Sequence, residues 1–229
     1  MLDTAVPHIS LALSPGDEAR QLGPMTKRGV NNTDWQDCGI SVDPHSCSVA
    51  VAKELRTRPD LETKPLPAGR IFFTDGCCFR SKAGPLQAAA AVVEFSGGKF
   101  ITLTAQTLTV KPSAQAAEVL ALCLALEAAS GEQVTVYSDS AYAVSAALLD
   151  LAAWKRNSYL TARGEPIAHK DLMQRLDHAL QMPSRVAVVK VPGHSKGNSL
   201  TTKGNNAADA AAKAAAGSAD VFLPQSERE

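Results

Sequence analysis

Four acidic residues stand in sequence surroundings where a carboxylate is unusual. Two directly follow apolar, strand-like runs, and the other two lie among alanine, valine and leucine in helix-like segments. Buried carboxylates are costly unless they are paired or bound to a metal, and no lysine or arginine nearby in the sequence obviously supplies the positive charge. Hard oxygen ligands suit Mg²⁺ or Mn²⁺. The pattern predicts a divalent metal site formed by Asp75, Glu118, Asp139 and Asp209.

Each of these acids, taken separately, also has an ordinary structural explanation. Asp75 could form a turn before Gly76, and Asp139 could stand beside a helix cap. Glu118 could favour the first turn of its helix, and Asp209 could be a solvated helix residue. The occurrence of all four in one strand–helix order favours the metal site.

The elements that must position these acids form an α/β pattern. The first three strands are joined by short connections and predict an antiparallel meander, whereas crossover helices connect the later strands. The order β-β-β-α-β-α-α-β-α predicts a mixed sheet with helices on both faces. Strands are predicted at 70–75, 86–95, 99–108, 133–139 and 185–191, and helices at 113–129, 140–151, 167–181 and 204–216.

The charges divide the chain near residue 69. The 229 residues carry 23 lysines and arginines against 23 aspartates and glutamates, and 45% are hydrophobic, enough for a sizeable core. Residues 1–69 hold seven basic and nine acidic residues, whereas residues 70–217 hold fifteen and eleven. With the metal ligands set aside, the second part is basic enough for a nucleic-acid partner. We expect an N-terminal extension and linker at 1–69, a folded domain at 70–217 and a tail at 218–229.

The chain reads as an intracellular protein, either cytoplasmic or nuclear. It has no run of about 18 apolar residues, and its first residues lack the pattern of a secretory signal. Its five cysteines are odd in number and include no CxxC pair, so neither a disulfide framework nor a structural zinc site is expected. A membrane partner is not expected either.

Five motifs resemble the ribonuclease H type 1 family. The likeness covers about residues 70–217 and is strongest for the RNase H domain of gammaretrovirus-like reverse transcriptases, including endogenous retroviral copies. No YxDD polymerase signature occurs, so the chain is not expected to be a reverse transcriptase itself. The motifs are Thr74-Asp75-Gly76, Ala114-Gln115-Ala116-Ala117-Glu118, Tyr137-Ser138-Asp139-Ser140-Ala141-Tyr142-Ala143, Val191-Pro192-Gly193-His194 and Gly204-Asn205-Asn206-Ala207-Ala208-Asp209.

The resemblance implies a fold and an activity. The fold is a ribonuclease H-like, five-stranded mixed sheet flanked by helices. The activity is endonucleolytic hydrolysis of the RNA strand of RNA–DNA hybrids, leaving 5′-phosphate and 3′-hydroxyl ends. Two Mg²⁺ ions, for which Mn²⁺ can substitute, would be held by Asp75, Glu118, Asp139 and Asp209. By the same resemblance His194 would assist proton transfer or product release.

Further residues are expected to contact the hybrid. Those near Glu118 and Asp139 would touch the backbone and minor groove, where the 2′-hydroxyl distinguishes RNA from DNA. Two of the serines are also ordinary helix caps. A basic stretch resembles the insertion of this family that grips DNA phosphates, although such charges are more often only a solvated surface. The expected contacts are Gly76, Ser113, Gln115, Ser140, Tyr142, Trp154, Lys155 and Arg156.

Two further interpretations remain open. The chain could be a retroelement-derived module that binds hybrids, or associates with a polymerase, with little or no catalysis. A transposase or integrase of the same superfold is weaker, because its usual three-acid pattern does not require Glu118 and Asp209 in this arrangement. A reverse transcriptase or a polyprotein is the expected context of the active enzyme.

Overall fold

Five strands and five α-helices make up the described part of the chain. The structure, a computed structural model, describes residues 57–80, 85–108, 111–193 and 195–217. Helices α2 and α3 are joined without a break by a π-helical turn at Ala146–Asp150. The elements are β1 (Arg70–Arg80), β2 (Leu86–Ser96), β3 (Lys99–Leu108), α1 (Ala114–Ala128), β4 (Gln133–Ser138), α2 (Ala141–Ser145), α3 (Leu151–Arg156), α4 (Lys170–Ala179), β5 (Arg185–Lys190) and α5 (Leu200–Gly217).

The strands form one mixed sheet in the order β3-β2-β1-β4-β5. β1 and β2 pair antiparallel, as do β2 and β3, which makes the predicted meander. β4 lies parallel to both β1 and β5, because helices on the faces of the sheet carry the chain back between these strands. The predicted α/β class with a five-stranded mixed sheet is confirmed.

Helices cover both faces of the sheet. Alternate residues of β1 point to opposite faces, so Phe72 packs into the larger core with α1, whereas Phe73 packs into a second core with α5. α1 contributes Leu122 and Leu126 to the larger core, where both side chains are fully buried. The sheet is therefore the central layer between α1 and α5, the helices that bear the predicted acids Glu118 and Asp209.

β1 is longer than the sequence predicts. The expected strand ended at Asp75, but β1 continues to Arg80 because its pairing with β2 runs on to Arg80 and Leu86. The parallel pairing of β1 with β4 stops earlier, at Thr74 and Ser138. Asp75 thus lies inside a strand, at the point where its β4 neighbour ends.

Two helices extend beyond their predicted bounds. The helix after Ser140 was expected to end near Leu151, but it continues through the π-helical turn to Arg156. The last helix begins at Leu200 rather than at Gly204. Glycine disfavours a helix interior, yet Gly204 is buried, and a Cβ there would overlap the ring of Phe73. Close packing on the sheet therefore outweighs the local preference.

Residues 57–69 pack against the folded domain. Arg58 is buried, and its guanidinium donates to the carbonyl oxygens of Leu180, Pro183 and Ser184. Leu61 is only 2% exposed, and Glu62 forms a parallel bridge beside β5. This segment therefore covers the β5 edge of the sheet. The domain cut at residue 69 stays a prediction, and residues 1–56 and 218–229 lie outside the described residues.

Arg58→Ala is expected to lower the free energy of unfolding by about 2–3 kcal/mol, because it leaves several carbonyl groups near the end of α4 without their donor. Lys64→Ala, at an exposed position of the same segment, is the matched control and should change stability little. Chemical denaturation of the full chain measures both. Equal stability of the two variants would show that the hydrogen bonds of Arg58 do not support the fold.

The described cysteines are free thiols. Cys77 and Cys123 are buried, and Cys78 is half-buried. Cys38 and Cys47 lie outside the described residues. None of the helices that the structure describes is both long enough and apolar enough to span a membrane.

Candidate active site

Two of the predicted acids lie side by side at the centre of the sheet. The last parallel pair of β1 and β4 is Thr74 with Ser138. The residue that follows each member of this pair in the sequence is an aspartate, so register alone brings Asp75 and Asp139 together. Asp75 is only 6% exposed and Asp139 is half-buried. This position, beyond the carboxyl ends of parallel strands, is where open α/β sheets commonly bind ligands.

Helix α1 brings Glu118 to the same point. Ser113 caps this helix by accepting a hydrogen bond from the backbone N–H of Ala116 at 3.0 Å. The helix then crosses β1 at Gly76, where a Cβ would overlap the backbone of Ala117 and Glu118. The missing side chain of Gly76 therefore makes room for α1, and it is this close crossing that sets Glu118 beside the aspartates.

Gly76→Ala is expected to destabilise the domain by about 3 kcal/mol and to impair the site, because the methyl group must push α1 away from β1. Gly217→Ala is the matched control, since a Cβ there meets no atom within 4 Å. Thermal denaturation checks the stability of both variants. A Gly76→Ala protein as stable as the control would contradict the close crossing.

The three carboxyl groups form one cluster, in which Asp75 and Glu118 hold their protons more tightly than usual. One oxygen from each of Asp75, Glu118 and Asp139 lies within 4.8 Å of the others. Burial, together with the charges of Asp139 and Asp209, raises the pKa of Asp75 to about 7. Burial, together with Asp75 and Asp139, raises the pKa of Glu118 to about 9. Oxygen ligands gathered in this way need positive charge.

The cluster fits a divalent metal ion. The Oε2 atom of Glu118 is buried and accepts no hydrogen bond from any residue that the structure describes. An unpaired, buried carboxylate oxygen beside two further carboxylates is a ready ligand for a hard cation such as Mg²⁺. Asp75, Glu118 and Asp139 are the residues that could hold it.

The fourth predicted acid, Asp209, is not one of the three carboxylates that lie within 4.8 Å of one another, and it has a partner of its own. Its charge contributes to the raised pKa of Asp75. Its carboxylate also forms an ion pair with Lys213, one helical turn later, at 2.7 Å. The expectation that no nearby lysine or arginine supplies positive charge is therefore wrong for Asp209.

Asn205 is a site residue whose role the sequence pattern does not predict. It lies on α5, is 3% exposed, and donates from Nδ2 to Asp139 Oδ2 at 2.9 Å. The sequence signal that could have identified Asn205 is its position one helical turn before Asp209, within the motif that runs from Gly204 to Asp209.

A family model described as RNase H matches residues 67–217. The chain belongs to the RNase H family. A curated relative is the Gag-Pol polyprotein of woolly monkey sarcoma virus, which is 41% identical over 178 residues. That alignment covers 78% of this chain but only 10% of the polyprotein, so the chain spans about a tenth of its relative's length.

Solved structures are similar to the RNase H domain as well. The solution structure of the PFV RNase H domain is 25% identical with a TM-score of 0.53, and the match covers 64% of this chain and 93% of that domain. A foamy viral protease–reverse transcriptase in complex with an RNA/DNA hybrid has a TM-score of 0.55 at 18% identity. That match covers 88% of this chain and 27% of the other, and it concerns the fold alone.

The residues expected to contact substrate near the acids of the RNase H domain have mixed surroundings. Gln115 is exposed, and Tyr142 packs partly against the larger core. Ser113 and Ser140 both cap helices, and Ser140 is buried while it accepts from the N–H of Ala143. His194 lies outside the described residues.

The basic stretch 154–156 of the RNase H domain, which is expected to bind DNA phosphates, contains both partly buried and exposed side chains. Trp154 packs partly against the larger core. Lys155 forms an ion pair with Asp177 at 2.9 Å, and Asp177 also accepts from the hydroxyl of Tyr159. Arg156 is exposed at the end of α3, so it is the residue of this stretch that is most available to a phosphate.

Proposed function

We propose that this RNase H domain hydrolyses the RNA strand of RNA–DNA hybrids with two divalent metal ions. The observation that carries the proposal is the cluster of Asp75, Glu118 and Asp139, whose carboxylate oxygens lie within 4.8 Å of one another at the junction of β1, β4 and α1. Asp209 completes the ligand set from α5. The chemistry that the ions supply when bound is activation of water and stabilisation of the leaving 3′ oxygen.

The chain's own residues supply placement and charge. The register of β1 and β4 fixes the two central aspartates, and the crossing at Gly76 fixes Glu118. The scissile phosphate is negative, and so are the carboxylates once they have released their protons, so bound cations are needed to offset this charge. The proposed activity therefore requires Mg²⁺, for which Mn²⁺ can substitute, and by resemblance to the family it leaves 5′-phosphate and 3′-hydroxyl ends.

The substrate contacts are proposed from the placement of the surface residues. Gln115 and Tyr142 lie on α1 and α2, the helices that flank the acids, and we propose them as contacts to the hybrid's minor groove. His194 follows Gly193, which lies against Asp139, and its part in proton transfer or product release stays a prediction. A reverse transcriptase or polyprotein context is proposed from the Gag-Pol relative.

A cleavage assay on the full chain tests the proposal. RNA labelled at its 5′ end is annealed to DNA and incubated with protein and Mg²⁺, with duplex RNA, duplex DNA and EDTA as controls. We expect cleavage of the RNA strand in the hybrid alone, and none with EDTA. Binding of the hybrid without cleavage, in either Mg²⁺ or Mn²⁺, would favour the non-catalytic binding module instead.

Arg156→Ala is expected to weaken hybrid binding and to reduce the slope of log affinity against log salt by about 1, because one phosphate contact is lost. Lys155→Ala should do less, since Lys155 is already paired with Asp177. Fluorescence anisotropy with labelled hybrid at several salt concentrations, in Ca²⁺, measures both variants. An unchanged salt slope for Arg156→Ala would remove this residue from the interface.

A further inference from the structure

Asn205 forms a hydrogen bond with the carboxylate of Asp139, one of the two central aspartates. Its Nδ2 atom donates to Asp139 Oδ2 at 2.9 Å, and the side chain is almost fully buried. A carboxylate only accepts hydrogen bonds, so the amide must turn its NH₂ group towards Asp139. The Oδ1 atom of Asn205 then points away from Asp139, and it has no hydrogen-bond partner among the described residues.

The sequence of α5 explains why Asn205 reaches this position. Small residues recur every fourth position on the buried face of the helix, and they bring its backbone close to the sheet. At Gly204 the approach is so close that a Cβ would overlap the ring of Phe73. Each of the first three small residues is followed directly by a polar residue, so a row of polar side chains with the same four-residue spacing lies beside the row of small ones. The buried small residues are Gly204, Ala208, Ala212 and Ala216, and the polar ones are Asn205, Asp209 and Lys213.

Asp139 is confined on a second side as well. A Cβ on Gly193 would lie 2.8 Å from Asp139 Oδ2, so the backbone of the segment after β5 passes close to the same oxygen. With Oδ2 held between Asn205 and this backbone, rotation of the carboxylate is restricted. Its other oxygen, Oδ1, is therefore fixed in direction too.

The chemical type of the partner also matters. Asp209 is neutralised by a cation, Lys213. Asn205 is neutral, so it orients Asp139 without cancelling the negative charge that a metal ion requires. We propose that Asn205 is a positioning residue that holds Asp139 in the orientation in which it binds a divalent ion. This inference rests on the proposed function, because it assigns the carboxylates to metal binding.

Metal binding itself tests the inference without relying on catalysis. Asn205→Ala removes the donor, and Asn205→Leu removes it while keeping a neutral side chain of similar volume. The neighbouring Asn206 is exposed, so Asn206→Ala is the matched control. Calorimetric titration of the full chain with Mg²⁺ is expected to show at least tenfold weaker binding for Asn205→Ala and no change for the control.

Kinetics separate positioning from a general loss of structure. At fixed, subsaturating Mg²⁺ we expect Asn205→Ala to lower kcat for hybrid cleavage about tenfold, with KM for the hybrid nearly unchanged, and saturating Mg²⁺ to restore part of the loss. Circular dichroism confirms the fold of each variant. If Asn205→Ala does not fold, Asn205→Leu, which is also neutral and lacks the donor, is used for both measurements, with the same weakening expected.

The outcomes distinguish this inference from the proposed function. Wild-type protein that binds Mg²⁺ but leaves hybrids intact overturns the nuclease proposal, while the comparison of metal affinities still decides the role of Asn205. A folded Asn205→Ala protein with wild-type Mg²⁺ affinity and wild-type kcat overturns the positioning role alone. Wild-type protein that binds no Mg²⁺ overturns both.

Discussion

Asp139→Asn is expected to reduce cleavage of RNA–DNA hybrids by at least about a thousandfold, because loss of one carboxylate ligand removes several kcal/mol of transition-state stabilisation. The substitution preserves the shape of the side chain. Its amide oxygen can still accept the hydrogen bond from Asn205 that Asp139 Oδ2 accepts now. The loss should therefore reflect charge, not a displaced backbone.

Two measurements with the same variant separate catalysis from binding. Hybrid affinity, measured by anisotropy, should stay within a few-fold of wild type. The metal-free variant should unfold at the same temperature as wild type or higher, because the carboxylate cluster has lost one of its mutually repelling charges. Asp171→Asn, an exposed carboxylate of α4, is the control and should cleave normally. More than a tenth of wild-type activity in Asp139→Asn would exclude Asp139 as a metal ligand.

The strands and the central aspartates were predictable because their signals are local. Apolar, β-branched runs place β1 and β4, and the aspartate that follows each run marks the same edge of the sheet. The predicted strand at 99–108 coincides with β3, where alternation along a few residues is sufficient evidence. The extension of β1 to Arg80 was not predictable in this way, because pairing with β2 sustains it beyond β4.

The interaction partners of the site residues were harder to predict, because most of them are distant in the sequence. The pair of Asp209 and Lys213 is spaced by four residues on a helix, so the sequence does contain its signal. The contact of Asn205 with Asp139 joins residues 66 apart, and no local pattern announces it. The same holds for Arg58, which binds carbonyl groups more than 120 residues later. Such contacts arise only when the sheet has assembled.

The sequence indicates that Gly76 is needed, but it gives only one of the two structural reasons. The Asp-Gly motif predicts close approach of the backbone to a substrate, and that contact stays a proposal. The structure shows a second requirement, since α1 crosses β1 at this glycine with no space for a Cβ. A glycine in a motif indicates that another group approaches the backbone closely, but only the tertiary structure shows that at Gly76 this group is the backbone of α1.

Metal-free protein is expected to lose stability as the pH rises from about 5 to about 7. The pKa of Asp75 is raised from 3.8 to about 7, and that of Glu118 from 4.5 to about 9, so the folded state retains protons that the unfolded chain releases. In this window the folded state binds more protons than the unfolded chain, so stability falls with pH. Each such group contributes a decrease of up to about 1.4 kcal/mol per pH unit.

Glu118→Gln isolates this contribution, because glutamine is neutral at every pH. In EDTA, the free energy of unfolding of wild-type protein should fall more steeply between pH 5 and pH 7 than that of Glu118→Gln, by up to about 1.4 kcal/mol per pH unit. Glu165→Gln, at an exposed position, is the control and should follow the wild type. Parallel curves for wild type and Glu118→Gln would contradict a Glu118 that is protonated in the metal-free site.

Adding Mg²⁺ should reverse the trend for the wild type, because the ion binds the deprotonated carboxylates and its binding releases the retained protons. The stabilisation by Mg²⁺ is therefore expected to be small near pH 5 and to grow towards pH 8, whereas Glu118→Gln should gain less at every pH. Denaturation in Mg²⁺ and in EDTA across this range measures the difference. Mg²⁺ stabilisation that is independent of pH would mean that the ion binds away from Asp75 and Glu118. The burial and mutual repulsion of the carboxylates, which weaken the metal-free fold, are on this account also what makes the site bind cations.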